Sequence, residues 1–312
     1  MIEVKDLVKY YNEVKAIDGI SFSVSRGEIL GFLGPNGAGK TTTLRILTGY
    51  LSPTRGEVKI NEFHLPEDVI SIKSIMGYLP ESVPIYKNMM VYEYLYYVAQ
   101  VRGIESGKIL DRIKEVADRC QIRGIIHKNI SELSKGLLQR VGIANVLLHD
   151  PEILILDEPT TGLDPNQILE IRELIKEIGK KKTVILSSHI LSEVEATCDR
   201  IIIINKGKIV ADGSARELKE IYQGSRRIQL LLKGATSEEV RSVFETIEGV
   251  KSVEIKKGDE VGVECEVLCE SDLREELYNV IKSTSWILLE FHNLSTSLER
   301  IFKEITRENG DE

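Results

Sequence analysis

Long apolar runs are missing from this 312-residue sequence, and no stretch approaches the roughly 20 apolar residues that a membrane-spanning helix needs. The opening segment, MIEVKDLVKYY, is charged from its third residue, which does not fit a secretory signal peptide. Cysteine is scarce too, with 4 residues and no CxxC pair. We therefore expect a chain that does not itself cross a membrane and whose thiols stay reduced in a cytosolic setting.

An excess of basic residues is also absent. The formal net charge is -8, so the chain offers no overall positive surface of the kind that binds nucleic acid through its phosphates. Nucleic acid is therefore not an expected partner. Proline is rare, at 8 residues, while 42% of the residues are hydrophobic and 29% are charged. Such a composition is typical of a globular protein with room for one large domain and one small domain.

The order of apolar segments predicts an α/β protein. EILILDE and TVILSSH are short and almost wholly apolar, as expected for parallel strands that helices cover on both faces. RIIIINKG and KIVADG predict an antiparallel hairpin that closes the sheet. A helix, TTTLRILTGYL, is predicted directly after a glycine-rich loop, and residues 86–130 have a helical pattern. A further helix, LLQRVGIANVLLHD, places Leu137, Val141, Ala144 and Leu148 on one face.

The sequence beyond Gly224 and Ser225 has a different pattern. Its predicted order is strand (RRIQLLLK), helix (SEEVRSVFETI), strand (VKSVEIK), strand (EVGVECEVL), helix (DLREELYNVIK), strand (SWILLEF) and a final helix (SLERIFKEI). This order is compatible with a small ferredoxin-like α+β domain. We therefore predict two domains, 1–224 and 225–312.

A phosphate-binding loop is the most specific motif. GPNGAGKT fits the GxxxxGK[ST] pattern and lies between a predicted strand and a predicted helix. Glycines let backbone N–H groups converge on phosphate oxygens, the helix N-terminus adds its positive end, Lys40 supplies a cation and Thr41 offers a hydroxyl to Mg²⁺. The predicted ligand is a nucleoside triphosphate. The residues expected to contact it here are Gly34, Pro35, Asn36, Gly37, Ala38, Gly39, Lys40, Thr41 and Thr42.

Two of the apolar strands carry candidate catalytic groups at their carboxyl ends, where ligands bind in open α/β sheets. Asp157 is placed to hold Mg²⁺, directly or through water, and Glu158 is placed to polarise an attacking water. His189 should emerge at the same edge, as a group that senses or orients the terminal phosphate. An isolated acidic pair or a lone histidine is more often structural. The shared edge with the phosphate loop favours the catalytic interpretation.

Upstream of the Asp157 strand, LSKGLLQR spans Leu133 to Arg140 and resembles the signature LSGGQ, followed by QR, of the ABC ATPase family. The resemblance covers the region 1–212, and ordinary P-loop kinases and GTPases lack the signature. Ser134 can cap the N-terminus of the helix that follows, which makes a second anion site in a chain with one phosphate loop. One chain thus carries two half-sites.

The resemblance implies an ATPase with ATP and Mg²⁺ as cofactors. Its P-loop NTPase core would carry an antiparallel β subdomain and a helical subdomain at 86–150. Family members form a homodimer in which each ATP lies between the phosphate loop of one chain and the signature of the other. Ser134 and Gly136 would then contact the γ-phosphate, GLDP at 162–165 would couple the two sites, and Tyr11 would stack on adenine. A tyrosine in a strand is more often a packing residue, so both interpretations of Tyr11 stay open.

Three residues at two places depart from the family pattern. Glu81, in GYLPESVP, stands where most members have a glutamine in the loop that joins the core to the helical subdomain. A carboxylate can still coordinate Mg²⁺, but it cannot donate a hydrogen bond as an amide does. Lys135 and Leu137 replace a glycine and the glutamine of the signature, which removes one possible contact to the ribose. These changes put the details of coupling and ribose contact in doubt.

One ATPase domain followed by a small extension resembles exporter-type subunits of the bacitracin-resistance, gliding-motility and multidrug kind. This resemblance implies a membrane-spanning permease as partner, and a cytoplasmic location at the inner face of the cell membrane. Tyr86, Met89, Met90 and Tyr92 would line a groove for a short permease helix, with core packing as the alternative. The transported substrate and the direction of transport are not encoded in these motifs.

Two other functional classes compete with the transporter. A soluble ABC ATPase that acts on ribosomes or DNA usually has two ATPase domains or a long inserted coiled coil, and the sequence has neither. A GTPase-like switch would need an NKxD motif, and NKGK at 205–208 lacks the aspartate. The motifs therefore favour the transporter ATPase.

Overall fold

The computed structural model describes residues 1–222, 226–258 and 262–294, with positions 299 and 302. The chain divides into two units, Met1–Ser214 and Ala215–Glu312. The division into domains 1–224 and 225–312 stays a prediction. The first unit contains β1 (Ile2–Tyr11), β2 (Val14–Val24), β3 (Ile29–Leu33), α1 (Lys40–Leu47), β4 (Arg55–Ile60), β5 (Phe63–Leu65), α2 (Val69–Ile75), β6 (Met76–Leu79), α3 (Val91–Val101), α4 (Ile109–Arg119), α5 (Lys135–Leu147), β7 (Ile153–Asp157), α6 (Pro165–Gly179), β8 (Thr183–Ser188), α7 (Leu191–Thr197), β9 (Arg200–Asn205) and β10 (Lys208–Gly213).

A six-stranded sheet forms the centre of the first unit, in the order β10-β9-β3-β8-β7-β6. The strands from β9 to β6 run parallel to one another, and β10 pairs with β9 in the antiparallel sense. Every residue of β3, β7 and β8 is buried, as expected for parallel strands covered on both faces. The predicted parallel strands and the closing hairpin are both confirmed.

A second, antiparallel sheet has the order β2-β1-β4-β5. Its first strand alternates, with Ile2 and Val4 buried while Glu3 and Lys5 face solvent, which is the pattern of a sheet with one wet face. The buried side chains join those of α1 and of the parallel sheet in one apolar core. Helix α1 thus contacts strands of both sheets.

One helix prediction is wrong at its C-terminal end. The helix predicted over TTTLRILTGYL ends at Leu47, because Gly49 takes a left-handed φ of 62° and its N–H donates to the Ile46 carbonyl at 2.9 Å. The helix predicted over LLQRVGIANVLLHD is confirmed as α5, in which Gln139, Arg140 and Gly142 are buried as well as its apolar residues. It runs through the interior of the unit rather than along its surface. The helical segment 86–130 contains α3 and α4, as predicted.

The central strand β3 has a glycine where α7 packs on it. A Cβ added at Gly31 would collide with Val194 Cγ1 and would lie 2.8 Å from the Cys198 sulfur. Val194 is on α7 and is fully buried. The helix therefore lies directly against the strand backbone, and a larger residue at position 31 would separate them.

The second unit contains α8 (Ala215–Tyr222), β11 (Arg226–Lys233), α9 (Ser237–Phe244), β12 (Val250–Gly258), β13 (Val263–Cys269), α10 (Arg274–Ser283) and β14 (Ile287–Leu294). Its strands form an antiparallel sheet in the order β12-β13-β11-β14. From β11 onwards this is the βαββαβ arrangement of the ferredoxin-like fold that the sequence predicts. The predicted final helix, SLERIFKEI, lies outside the described residues apart from Glu299 and Phe302.

The chain is poor in cysteine and in long apolar runs. The four cysteines are free thiols, and burial raises the pKa of Cys120 and of Cys265 to about 12. Over the described ranges, no helix is both long and apolar enough to cross a bilayer.

Candidate functional site

The phosphate loop joins β3 to α1 at the carboxyl edge of the parallel sheet. Gly37 and Gly39 have φ values of 79° and 110°, a region that residues with a side chain rarely adopt. A Cβ on Gly39 would lie 2.7 Å from the Ala16 carbonyl oxygen, and one on Gly34 would collide with the Ile204 carbonyl oxygen. The glycines thus permit both the turn and its close fit against neighbouring backbone.

Lys40 begins α1 and is almost completely buried, with 5% of its surface exposed. Its Nζ donates to the carbonyl oxygens of Gly34 at 2.8 Å and Pro35 at 3.3 Å. The same ammonium lies 3.4 Å from Glu158 Oε1. The lysine is therefore held across the mouth of the loop, with its charge opposite a carboxylate.

Asp157 ends β7 with its carboxylate facing α1. Its Oδ1 accepts hydrogen bonds from Thr41 Oγ1 at 3.1 Å and from Ser187 Oγ at 2.6 Å. The strand register explains the second contact, because Asp157 and Ser187 are direct neighbours on β7 and β8. The structure thus brings Thr41 and Asp157, two predicted metal ligands, into contact.

Glu158 follows β7 with a φ of 48°, a left-handed conformation that is strained for a residue with a side chain. Its N–H donates to Ser187 Oγ at 2.9 Å. Its Oε2 accepts from Thr161 Oγ1 at 3.1 Å and lies 2.8 Å from His189 Nδ1. Glu158 and His189, which were predicted to share an edge, are therefore direct neighbours.

These residues surround one cleft of about 530 Å³. Glu81 lies at its rim, in the segment after β6. Gly34, Pro35 and Asp157 do not line the cleft directly but support the residues that do. The lining consists of Ala16, Asn36, Gly37, Ala38, Gly39, Lys40, Thr41, Thr42, Glu81, Glu158, Thr161 and His189.

The oxygen donors that line or directly support this cleft suit a hard divalent cation. Thr41, Asp157 and Glu81 offer oxygen atoms, which Mg²⁺ prefers over nitrogen and sulfur. In the described part of the chain, no group of three or more His, Cys, Asp or Glu side chains forms a ready-made metal cage.

The signature segment lies at the start of α5. Ser134 is its N-cap, and the Ser134 Oγ accepts from the Leu137 N–H at 3.4 Å. Gly136 packs against Gln167 of α6, and a Cβ at Gly162 would collide with the Lys135 ammonium. Gly162, the first residue of the GLDP segment, thus lies against Lys135 of the signature within one chain. Neither Ser134 nor Gly136 is among the described residues that line the phosphate-loop cleft.

Tyr11 lies at the end of β1 with 43% of its surface exposed. Lys9 Nζ lies 5.6 Å from the centre of its ring, within the range of a cation–π contact. Tyr11 is not among the residues that line the cleft, although Ala16 of the neighbouring strand is. Its predicted contact with adenine therefore stays a prediction.

Ser187 and Thr161 are parts of this site that the motifs did not identify. Ser187 binds both Asp157 and the backbone of Glu158, and Thr161 binds the Glu158 side chain. In the sequence, Ser187 could have been identified by its position two residues before His189, on a strand predicted to lie in the same sheet. Only the register between β7 and β8 shows that the contact is made.

A loop of this geometry between a central parallel strand and a helix, with an acidic strand end opposite, is the nucleotide site of P-loop nucleoside triphosphatases. Comparison with known proteins narrows this class: the ABC transporter family model matches residues 17–161. YhcH of Bacillus subtilis (strain 168), an uncharacterized ABC transporter ATP-binding protein, is 33% identical over 100% of this chain and 98% of its own length. The chain belongs to the family of ABC transporter ATP-binding proteins. It is therefore an ATP-binding ATPase subunit.

Further similarities agree with this assignment. The bacitracin transport ATP-binding protein BcrA of Bacillus licheniformis is 40% identical over 70% of this chain and 72% of its own. The structure of cbiO1 from Clostridium perfringens, described as part of the ABC transporter complex cbiONQ, matches with a TM-score of 0.65 and 28% identity. That match covers 70% of this chain and 89% of cbiO1. The dimeric structure of MJ0796, a bacterial ABC transporter cassette, shares the fold with a TM-score of 0.63 and 24% identity, over 69% of this chain and 98% of its own.

Proposed function

We propose that this chain is the ATP-hydrolysing subunit of an exporter, and that it works as a homodimer on a separate membrane-spanning permease. It would act in the cytoplasm, at the inner face of the cell membrane. The similarity to BcrA, a bacitracin transport protein, supports export. The similarity to cbiO1, which is part of a transporter complex, supports a partner subunit.

The observation that carries the proposed dimer is the separation of two anion-binding elements within one chain. The phosphate loop opens on a cleft that Ser134 and Gly136 do not line. The signature instead lies at the N-terminus of α5, outside that lining, with Ser134 exposed. A two-fold dimer would place each signature opposite the other chain's cleft, which completes two equal sites. The dimeric form of MJ0796 supports such an assembly.

In the proposed reaction, the triphosphate enters the loop and Lys40 exchanges its contact with Glu158 for phosphate oxygens. One carboxylate oxygen of Glu158 then accepts a hydrogen bond from water, orients it for in-line attack on the γ-phosphorus and takes up its proton. The bond between the γ-phosphorus and the β–γ bridging oxygen breaks, and ADP and inorganic phosphate are the products. His189, which already lies against Glu158, orients the terminal phosphate. Thr41, Asp157 and Glu81 would hold Mg²⁺, which supplies positive charge to the phosphates.

A candidate docking surface for the permease lies on the helical segment. Tyr86 is exposed and packs edge-on against Tyr97 at 5.8 Å and Tyr94 at 6.4 Å. Tyr94 is buried and its hydroxyl donates to the Pro84 carbonyl at 3.2 Å, close in sequence to Glu81. A helix bound at Tyr86 would thus touch a segment that leads to the cleft. The other candidates for this surface, Met89, Met90 and Tyr92, are half-buried.

A complementation experiment tests the proposed dimer. The Lys40→Ala chain has a defective phosphate loop and an intact signature, whereas the Ser134→Arg chain has the reverse. Each variant alone should be inactive. An equal mixture should recover roughly a quarter of the wild-type ATPase rate, because about half of the dimers are mixed and each mixed dimer has one complete site.

The control is a mixture of Lys40→Ala with Glu158→Gln, in which both defects lie in the same half-site. No mixed dimer of these two variants contains a complete site, so no activity should return. Recovery in the control, or none in the test mixture, would contradict a shared site. Co-purification of a membrane protein that Tyr86→Ala releases would support the docking surface.

A further inference from the structure

A buried glutamate behind the cleft joins the two loops that hold Glu158. Glu193 lies in the first turn of α7 with 6% of its surface exposed. Its Oε2 accepts hydrogen bonds from Thr160 Oγ1 at 2.5 Å and from Ser188 Oγ at 3.1 Å. Thr160 follows β7 and Ser188 ends β8, so one carboxylate oxygen connects two neighbouring strand ends.

The neighbours of these two hydroxyl residues are the hydrogen-bonding partners of Glu158. Thr160 precedes Thr161, whose hydroxyl donates to Glu158 Oε2. Ser188 precedes His189, whose Nδ1 lies 2.8 Å from the same oxygen. A change in the distance between Thr160 and Ser188 would therefore move both contacts of Glu158 together.

Local helix capping does not account for Glu193. A glutamate in the first turn of a helix often accepts a hydrogen bond from its own N-cap backbone. In α7 no side-chain capping hydrogen bond is formed, and the Ile190 N–H donates to Ser188 Oγ instead. The second carboxylate oxygen, Oε1, is buried without a hydrogen-bond partner among the described residues. Burying a carboxylate with one unpaired oxygen is unfavourable for folding. Helix stability alone therefore does not explain why Glu193 is buried and bonded to Thr160 and Ser188.

We propose that Glu193 is a positioning residue for ATP hydrolysis: it fixes the separation of the β7 and β8 ends, and through Thr161 and His189 it aims the Glu158 carboxylate. The proposal rests on the assigned role of Glu158 as the group that activates water. Glu193 is not among the described residues that line the cleft. Its loss should therefore affect turnover rather than ATP binding.

The test compares Glu193→Ala and Glu193→Gln in the full-length chain. Glutamine keeps a carbonyl oxygen that can accept from Thr160 and Ser188, and should retain kcat within about threefold. Alanine removes both contacts and should lower kcat on the order of tenfold or more, because a displacement of roughly 1 Å at a reacting group is costly. The KM for ATP should stay within about twofold in both variants.

Two further variants separate positioning from loss of packing. Val194→Ala removes buried packing atoms from the same helix and serves as the control for lost stability. Its thermal unfolding midpoint is compared with that of Glu193→Ala. Its kcat should stay close to wild type. Thr160→Val removes one of the two hydrogen bonds without changing the shape of the side chain, whereas Thr160→Ser keeps it. The valine variant should share the kcat defect, and adding it to Glu193→Ala should cause little further loss.

The proposal is overturned if Glu193→Ala and Thr160→Val hydrolyse ATP at the wild-type kcat, or if Val194→Ala loses kcat in proportion to its stability. Glu158→Gln serves as the reference. If Glu158→Gln is inactive while Glu193→Ala is fully active, only the positioning role fails. If Glu158→Gln itself is fully active, the assigned role of Glu158 fails first.

Discussion

Lys40 and Glu158 form an ion pair inside the cleft, with 3.4 Å between Nζ and Oε1 and less than a tenth of either side chain exposed. The cation assigned to the phosphates and the carboxylate assigned to water are therefore in contact with each other. If Lys40 moves to the phosphate oxygens, as the proposed reaction requires, the free energy of nucleotide binding includes the loss of this pair.

Glu158→Gln should bind ATP at least as tightly as wild type while losing nearly all hydrolysis. The amide preserves the shape of the side chain but carries no charge to hold Lys40 and cannot take up a proton from water. We expect a stable ATP-bound dimer, seen by size-exclusion chromatography, with phosphate release near background. The control is Glu152→Gln, which neutralises an exposed carboxylate on the same unit. A Glu158→Gln chain with wild-type turnover would exclude the assigned role.

Lys40→Ala should lose ATP affinity and also stability. Its removal leaves the buried Glu158 carboxylate without its cation, which costs on the order of 3 kcal/mol. Thermal unfolding should therefore shift to lower temperature, and the Lys40→Ala/Glu158→Gln double variant should recover part of this shift. ATP affinity, measured by equilibrium binding, should stay low in the double variant. Equal ATP binding by Lys40→Ala and wild type would contradict the loop assignment.

Ser187→Ala should impair hydrolysis although Ser187 carries no motif. Its hydroxyl donates to Asp157 and accepts from the Glu158 N–H, so alanine leaves a buried N–H unpaired next to a strained residue. We expect a lower kcat and a higher Mg²⁺ concentration for half-maximal activity. Ser187→Thr keeps a hydroxyl and should rescue both parameters. An unchanged Mg²⁺ dependence in the alanine variant would remove Ser187 from the site.

His149 should make the first unit less stable at mildly acidic pH. Burial, together with the positive charges of Arg102, Lys182 and Arg112, lowers its pKa from 6.5 to about 4. Its Nε2–H donates to the Met76 carbonyl at 3.1 Å. Its Nδ1 is buried without a hydrogen-bond partner among the described residues, so protonation would bury an unpaired N–H.

The direction of this pH effect follows from proton binding. Between pH 6.5 and about 4 the unfolded chain takes up a proton at His149 that the folded chain does not, so its contribution to stability falls as pH falls. His149→Gln can keep the donor to Met76 and does not titrate. The unfolding midpoint of wild type should therefore drop more steeply than that of the variant between pH 7 and pH 4.5. Parallel curves would contradict the assignment.

The parts of this fold that sequence predicts are those that short segments determine. The phosphate loop needs glycines at particular positions, and fully buried strands such as β7 and β8 need consecutive apolar residues. Asp157, Glu158 and His189 follow from these, because the carboxyl ends of parallel strands lie at one edge. The ferredoxin-like order of the second unit likewise follows from alternating strand and helix patterns.

The contacts that sequence does not predict depend on register and on packing in three dimensions. Ser187 reaches Asp157 only because the two residues are paired across β7 and β8. Glu193 reaches Thr160 only because α7 packs on β3 and β8, next to the end of β7. The helical spacing of Leu137, Val141, Ala144 and Leu148 predicts the helix α5 and one of its buried faces. The helix is buried on all sides because other elements surround it, and its own sequence does not show which elements these are.

Gly31 illustrates how far from the nucleotide such control can reach. It lies within the central strand and outside the cleft, yet α7 rests on it through Val194, one residue from Glu193. A single methyl group at residue 31 would lift that helix and, with it, the carboxylate that spans Thr160 and Ser188. Slow turnover with undiminished ATP affinity could thus arise from a change in a side chain that never meets the substrate.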